Sequence, residues 1–416
     1  MLKIALVGFG TVGKAVARML DSDLHGDLCL RYVFNRGIES KKVDWLKSSV
    51  VWTDDIETIL SSDVDVVVEV VGGQNPAVDW IRRALESGKS VVTANKQVIA
   101  HDGAALEAVA IKHDKSLFFG AAVAGGVPVI NGVTEGLSGD QVTGLCGVLN
   151  GTCNFILTRM EIDGLSFDAA LAEAQELGFA EADPSADVDG FDAQAKLAIL
   201  SAVGLGHPLN VNDIDTRSIR PIEAVDFIYA QRLGCTIRQI ARATTIGKEE
   251  VAASVVPMLV DRSSALARIE GSQNIVVFEG TNGGETAFSG HGAGGGPTAV
   301  AVVSDLKSVS RDCSPLKTGI LGGTLTTKVF RDLTCPHYAR FVIRDRPGII
   351  AALAEVFSRH GIGVDSVLQE PGWDKEELPF VMTLESCSST AALDAVAEAA
   401  AFDFQIRPPV CLPVLT

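Results

Sequence analysis

In the stretch GFAEADPSADVDGFDAQAKLAILSAVGLG, five carboxylic acids fall within twelve residues (Glu181, Asp183, Asp187, Asp189 and Asp192), and a very apolar predicted helix follows them. Lys196 is the only charged residue between Ala193 and Gly206. It stands four residues after Asp192, so the two share a helix face, with the acid near the positive end of the helix. On an exposed helix such a pair contributes only about 0.3–0.5 kcal/mol. An exposed helix, however, carries more polar residues than this one does. A lysine held dry beside a carboxylate can give a proton to a substrate oxygen or take one from it. Lys96, in SVVTANKQ, stands just past a predicted strand, where open α/β sheets gather their ligands; a solvated loop lysine is the bland alternative. Carboxylates suit a substrate ammonium and lysines a substrate carboxylate, so the combination suits a zwitterionic amino acid.

A second constellation lies at the start of the chain. Gly8-Phe9-Gly10-Thr11-Val12-Gly13 completes G-x-G-x-x-G between a predicted strand and a predicted helix. The first glycine permits the tight turn, the second lets backbone approach a pyrophosphate, and the third lets helix and strand pack closely. The free N–H groups of the helix start then favour phosphate. This is the pattern of a dinucleotide site. Its second strand ends in Phe34-Asn35-Arg36-Gly37, with no acid before Glu39. Arg36 at that point suits a ribose 2′-phosphate, which favours NADP over NAD, with a solvated loop arginine as the alternative. Residues Gly280–Gly296 hold eight glycines in 17 positions and end at Pro297-Thr298 before an apolar helix. That composition suits a chain returning to the cofactor cleft, with Gly296 beside the cofactor.

The elements needed to position these groups follow from the apolar pattern. Short β-like runs at 2–8, 30–34, 64–71, 90–94 and 116–122 alternate with helical stretches at 12–20 and about 76–87. This predicts βαβ units and a parallel, Rossmann-type sheet over 1–134, completed by about 296–325. Longer alanine-rich helices (167–177, 192–203) and a strand at 274–280 predict an α+β substrate domain over 135–295. The last 80 residues read as a separate unit over 338–416, joined through about 319–336. There the order strand 338–344, helix 349–360, strand 362–369, strand 378–384, helix 390–401 and a closing strand is a ferredoxin-like βαββαβ unit.

Composition bounds the rest. The 416 residues carry 35 Lys plus Arg against 52 Asp plus Glu, a formal charge of −17, and 47% are hydrophobic. Such a surface repels phosphate backbones and anionic lipid, which excludes nucleic-acid and membrane-surface binding as expectations. The eight cysteines form no C-x-x-C pair, the seven histidines show no metal spacing, and no signal-peptide or bilayer-spanning pattern is present. The sequence therefore predicts a soluble cytoplasmic protein with reduced thiols.

GFGTVG, TANK, AAVAGGVP, NGTCNFILT and the acid–lysine block occur in an order that resembles the homoserine dehydrogenase family over residues 1–330. The tail YARFVIRDRPGIIAALAEVFSRHGIGVDSVLQ resembles an ACT domain, a small-molecule-sensing module. The resemblance implies reversible, NAD(P)-dependent reduction of L-aspartate 4-semialdehyde to L-homoserine, in threonine and methionine biosynthesis. It implies Lys196 as proton donor, Asp192 as the residue orienting it, and Lys96 holding substrate near the nicotinamide. Glu181, Asp187 and Thr152 would contact substrate, and Thr93 and Lys96 of TANK the cofactor. It further implies a monovalent cation, sodium or potassium, on the backbone carbonyls of Val123, Gly125 and Val127. The family's glutamate ligand of that ion falls at Gly120, which has no side chain. L-threonine is the effector the tail implies, at the Asp345–Gly348 turn and Gly361, although VMTLESCSS lacks the Thr-His pair of such domains. A homodimer or homotetramer is implied as well. Two other readings remain open at this point: an NADP oxidoreductase for another amino-acid semialdehyde, and a non-catalytic amino-acid sensor.

Overall fold

Six short apolar runs build the first layer: β1 (Leu2–Val7), β2 (Leu28–Phe34), β3 (Val51–Thr53), β4 (Val66–Glu69), β5 (Ser90–Thr93) and β6 (Leu117–Phe118). In the computed structural model, which describes residues 1–22, 24, 26–311, 321 and 327–416, they pair all-parallel in the order β3-β2-β1-β4-β5-β6. His25, Cys313 and parts of the predicted 296–325 and 319–336 segments lie outside the described residues. Alternate side chains serve opposite faces. Ile4, Leu6, Val66 and Val68 pack with Val16 and Leu20 of the Thr11–Asp21 helix and Val302 and Leu306 of the Gly295–Ser310 helix. Ala5, Val7 and Val67 pack with Ile81 of the Ala77–Glu86 helix and Val98 of the Lys96–Lys112 helix. With both faces covered the strands read as unbroken apolar runs. The Gly295–Ser310 helix thus packs on the first layer. The strand order reverses between β1 and β4, and the crevice at their carboxyl ends is where ligands gather.

A second sheet follows, from β7 (Val142–Val148), β8 (Asp215–Thr216), β9 (Cys235–Gly247), β10 (Glu250–Asp261), β11 (Gln273–Gly280), β12 (Gly284–His291) and β13 (Lys328–Phe330). Its order is β12-β11-β7-β9-β10-β13, with β8 also on β10. The Phe191–Leu200 helix lies on this sheet, and its Ala193, Leu197 and Leu200 share one core with Ala241, Val255 and Phe278 and with the first layer's Val98 and Leu106. One hydrophobic core therefore runs across the predicted boundary near residue 134. β13 corrects the reading of 319–336 as a plain connection, because it adds a parallel strand to β10.

β14 (Thr334–Ile343), β15 (Val364–Leu368), β16 (Leu378–Ser388) and β17 (Gln405–Pro413) form an antiparallel sheet, β15-β16-β14-β17. With the Ile349–Arg359 and Ser389–Ala399 helices they give the βαββαβ order the sequence predicts. These helices cover one face. The other face, with Tyr338, Val381, Val410 and Leu412, packs into the middle unit against Ile219, Ile222 and Tyr229. Polar groups lock the same seam. Tyr338 donates to Asp226 at 2.7 Å and Tyr229 to the Pro379 carbonyl at 2.8 Å. Arg340, 1% exposed, meets Asp226 at 2.8 Å and Glu223 at 2.7 Å. The tail has a sheet of its own, and because that sheet is apolar on both faces it needs a second cover, which the middle unit supplies. Among the described residues no helix is long and apolar enough to cross a membrane.

His337, at the middle of this sheet, is 1% exposed and lies 3.0 Å from the Ser389 hydroxyl. Burial, with a smaller push from Arg217, lowers its pKa to about 4. The unfolded chain takes up that proton near pH 6.5 and the folded chain does not until about pH 4. The stability due to keeping the ring neutral is complete above pH 6.5 and is lost as pH falls towards 4, amounting to about 3 kcal/mol. Denaturant unfolding of the wild type and of His337→Gln at pH 7 and pH 4.5 checks this. The wild type is expected to lose more stability on acidification than the variant, and equal losses would refute the assignment.

Candidate active site

The glycine turn that ends β1 meets the requirements of a pyrophosphate site one residue at a time. Gly8 sits at φ +107, and a Cβ there would lie 2.9 Å from the Val70 backbone. A Cβ on Gly13 would lie 2.1 Å from the Gly8 carbonyl oxygen, whereas Gly10 has nothing within 4 Å of such an atom. The turn is therefore tight at its first glycine, open at its second and closely packed at its third. No side chain caps the Thr11–Asp21 helix, so its first N–H groups stay available to phosphate oxygens. Beside it lies a pocket of about 370 Å³ lined by Gly8, Gly10, Arg36, Lys41, Pro76 and Trp80 among others. Arg36 is exposed there, ready for an anion, and Trp80 offers a flat apolar wall. Lys41 and Trp80 were not singled out in the sequence; their signal, a cation five residues after Arg36 and an aromatic on the Ala77–Glu86 helix, is too common to use alone.

A larger cleft of about 660 Å³ continues from this pocket, between the ends of β4 and β5, the segment after β7 and the loop before the Gly295–Ser310 helix. Lys96, Glu181, Asp187, Asp192 and Lys196 all line it. Asp192 is 6% and Lys196 8% exposed. Asp192 Oδ2 lies 2.7 Å from Lys196 Nζ and its Oδ1 lies 2.9 Å from Lys96 Nζ, so one buried carboxylate bridges two ammonium groups from different units. Burial alone would raise the Asp192 carboxyl, but the two lysines outweigh it and hold it well below the usual carboxylate range. In return the Asp192 charge raises Lys96 against the effect of burial. Lys196 also donates to the Leu149 carbonyl at 2.7 Å. Two of its three N–H bonds are therefore fixed, and the third remains for a ligand in the cleft.

Asn150 completes this arrangement, although its sequence context marks nothing more than a helix start. It caps the Gly151–Asp163 helix by accepting from Cys153 N–H, and its Nδ2 donates to Asp187 at 2.7 Å and Asp192 at 2.8 Å. It thereby holds two like charges side by side. Burial raises the Asp187 carboxyl, and the Asn150 bond opposes that rise. Glu69 is a second such residue: the one acid of β4, 1% exposed, accepting from Val71 N–H at 2.8 Å and Thr93 hydroxyl at 2.6 Å. It pins the Val71–Gly72 edge of the cleft. A single acid inside an apolar strand was the available signal.

Other expected residues are placed differently. Thr93 is fully buried and its hydroxyl is taken by Glu69, so Ala94 and Asn95 form that wall of the cleft instead. The glycine-rich loop does return to the cleft, but through Gly292, Ala293 and Gly294 rather than Gly296. Thr152 lines the cleft with its hydroxyl donated to the Phe179 carbonyl at 2.8 Å, which ties down the segment that carries Glu181. Asp183 accepts from Ser185 N–H at 3.1 Å, and Asp189 pairs with Arg220 at 3.0 Å, outside the cleft. At the expected cation loop, Ala124 and Gly125 turn the chain at φ 54 and 53, but Gly120 offers no ligand. A Cβ there would lie 2.8 Å from Asp305 Oδ1. The buried Asp305 accepts from Gly120 N–H at 2.9 Å, and burial pushes its pKa up to about 7.

Two family models match the chain: "Homoserine dehydrogenase, NAD binding domain" over residues 8–120 and "Homoserine dehydrogenase" over residues 128–306. The homoserine dehydrogenase of Synechocystis is 37% identical over 385 residues, 88% of this chain and 89% of that protein. A crystal structure of a homoserine dehydrogenase from Thiobacillus denitrificans superposes with a TM-score of 0.90 at 30% identity, covering 100% of this chain and 98% of that one. A hyperthermophilic archaeal homoserine dehydrogenase in complex with NADPH matches with a TM-score of 0.64 at 28% identity, over 75% of this chain and 98% of that one.

The close approach at Gly13 generates a direct test. In Gly13→Ala the new methyl meets backbone that cannot move aside, so calorimetric NADPH affinity is expected to fall at least about tenfold. Unchanged affinity would show that the turn does not carry the cofactor.

Proposed function

The chain belongs to the homoserine dehydrogenase family, and we propose that it interconverts L-aspartate 4-semialdehyde and L-homoserine with NADP, Lys196 handling the proton at the reacting oxygen. That it is a nicotinamide-dependent enzyme follows from the family. The observation that carries the residue roles is the buried Lys96–Asp192–Lys196 bridge at the mouth of the dinucleotide crevice. The bound nicotinamide supplies the hydride. Lys196, with two N–H bonds spent on Leu149 and Asp192, directs its third at the aldehyde oxygen and donates a proton as charge develops there. In the reverse direction the same nitrogen accepts the alcohol proton. Asp192 keeps both lysines in place, and Lys96, the more exposed of the two, faces the substrate carboxylate. Glu181 and Asp187 supply the negative charge for the substrate ammonium, while Thr152 fixes the segment bearing Glu181.

Arg36 and Lys41 in the pocket beside the glycine turn support NADP over NAD, since two cations there match a ribose 2′-phosphate. A sodium or potassium ion on the Val123, Gly125 and Val127 carbonyls finds support in the double left-handed turn of that loop, but its side-chain ligand is missing, and no step is assigned to it. The βαββαβ topology of the tail, with Gly348 at φ 97 and Gly361 at φ 69 on the expected edge, supports an amino-acid effector such as L-threonine. Assembly as a homo-oligomer and a cytoplasmic location belong to the same reading, through the family. The sensor alternative needs a degraded site, and both lysines and Asp192 stand here in bonding geometry.

Lys196→Ala is expected to bind NADPH normally yet lose about 10²-fold or more in kcat, the usual scale for a general acid; an undiminished kcat would overturn its role. Arg36→Ala is expected to raise KM for NADPH by about tenfold while leaving that for NADH nearly unchanged. A wild type that uses NADH as well as NADPH would remove the basis for the cofactor preference.

A further inference from the structure

The Leu149 carbonyl that anchors Lys196 has a second donor. Asn274, at the start of β11 and 1% exposed, donates from Nδ2 to that same oxygen at 2.7 Å, the distance at which Lys196 Nζ binds it. The Asn274 Oδ1 is buried and accepts no hydrogen bond among the described residues. An orphan acceptor of this kind is costly to bury. The amide lies flat against Gly292: a Cβ there would fall 2.1 Å from its Cγ and 2.2 Å from Oδ1. Gly292 is itself a wall of the cleft. Asn274 therefore fills the space between the proton-transfer nitrogen's anchor and the glycine loop, while touching neither substrate pocket nor cofactor pocket.

We propose that Asn274 is a positioning residue for proton transfer: it locks the Leu149 peptide so that the third N–H of Lys196 points at the reacting oxygen. The inference rests on Lys196 being the proton donor. The Leu149 peptide has just left β7 and opens into the Asn150 cap, so without Asn274 its carbonyl is held from one side only. With Oδ1 unpaired, the contact with Leu149 is the one side-chain hydrogen bond that Asn274 makes among the described residues, so its amide serves that carbonyl alone. The charged and titratable groups around Lys196 are Asp192 on its own helix, Asp187 before that helix, Lys96 from the first unit and the Cys153 thiol from the Gly151–Asp163 helix. The second sheet contributes this neutral amide.

The test is steady-state reduction of L-aspartate 4-semialdehyde by NADPH, with thermal midpoints measured alongside, for wild type, Asn274→Ala, Asn274→Asp and Lys196→Ala. Asn274→Ala is expected to lose at least about tenfold in kcat, a misalignment effect, with KM for NADPH within roughly two-fold of wild type. Asn274→Asp, nearly isosteric and so the variant safest for folding, sets a carboxylate against the Leu149 carbonyl in place of the donating amide and should lose kcat to a similar extent, again with KM for NADPH little changed. A fall in kcat at constant KM, with the thermal midpoint retained, is a signature that a merely structural residue would not give. If both variants keep kcat within roughly two-fold of wild type, or lose it only together with NADPH affinity, while Lys196→Ala is inactive, the role of Asn274 is refuted and that of Lys196 stands. If Lys196→Ala itself retains turnover, the underlying reading fails instead.

Discussion

One buried carboxylate holding two ammonium groups is the constraint on which this structure depends. A lone Asp192 in so apolar a place would take up a proton rather than stay charged. It stays ionised because Lys196 approaches along its own helix and Lys96 comes from the first unit. The bridge therefore exists only where the two units meet, and it requires them to meet in one register. The continuous core from Val98 and Leu106 to Leu197 and Val255 provides that register. A buried ion network is a weak source of net stability, because desolvation offsets much of its attraction. Its value here is geometric: it leaves one N–H of one lysine uncommitted, beside the dinucleotide crevice.

Close backbone approach is the means by which the rest of the cleft is formed. The turn at Gly125 lies so near Gly292 that a Cβ would fall 2.5 Å from the Gly292 carbonyl oxygen. Two loops from different units thus meet main chain to main chain, and the hydrogen bond from Gly126 N–H to the His291 carbonyl ties them at 3.2 Å. Side chains at that seam would hold the loops apart and open the cleft to water. The glycine-rich run is therefore a packing surface as much as a flexible one.

Much of this was legible in the sequence for identifiable reasons. The parallel sheet announced itself because strands buried on both faces are unbroken apolar runs, and the acid–lysine block because one cation stood alone in a helix with no other polar use for it. The βαββαβ order of the tail was readable from its turns. What escaped depends on contacts distant in sequence. Asn150 looks like an ordinary helix cap, and nothing local shows that its amide also reaches two carboxylates about forty residues on. Glu69 gains its meaning from Thr93 on the neighbouring strand. The long β9–β10 hairpin was missed because its alanine-rich strands and Pro257 weaken the alternating pattern. Gly296 was favoured over Gly292 because sequence marks where glycines cluster, not which of them faces a cavity.

The C-terminal sheet lies face down on the Ala224–Arg232 helix, with Tyr229, Tyr338 and Arg340 in the seam. It is consequently not a detachable cassette. An ancestor or relative without it must clothe that helix in polar side chains where this chain carries Val225 and Tyr229, and must do without the charge on Asp226. Gaining or losing such a unit during evolution therefore demands rewriting an entire helix surface at the same time, which makes the presence of the tail a property of the middle unit as well.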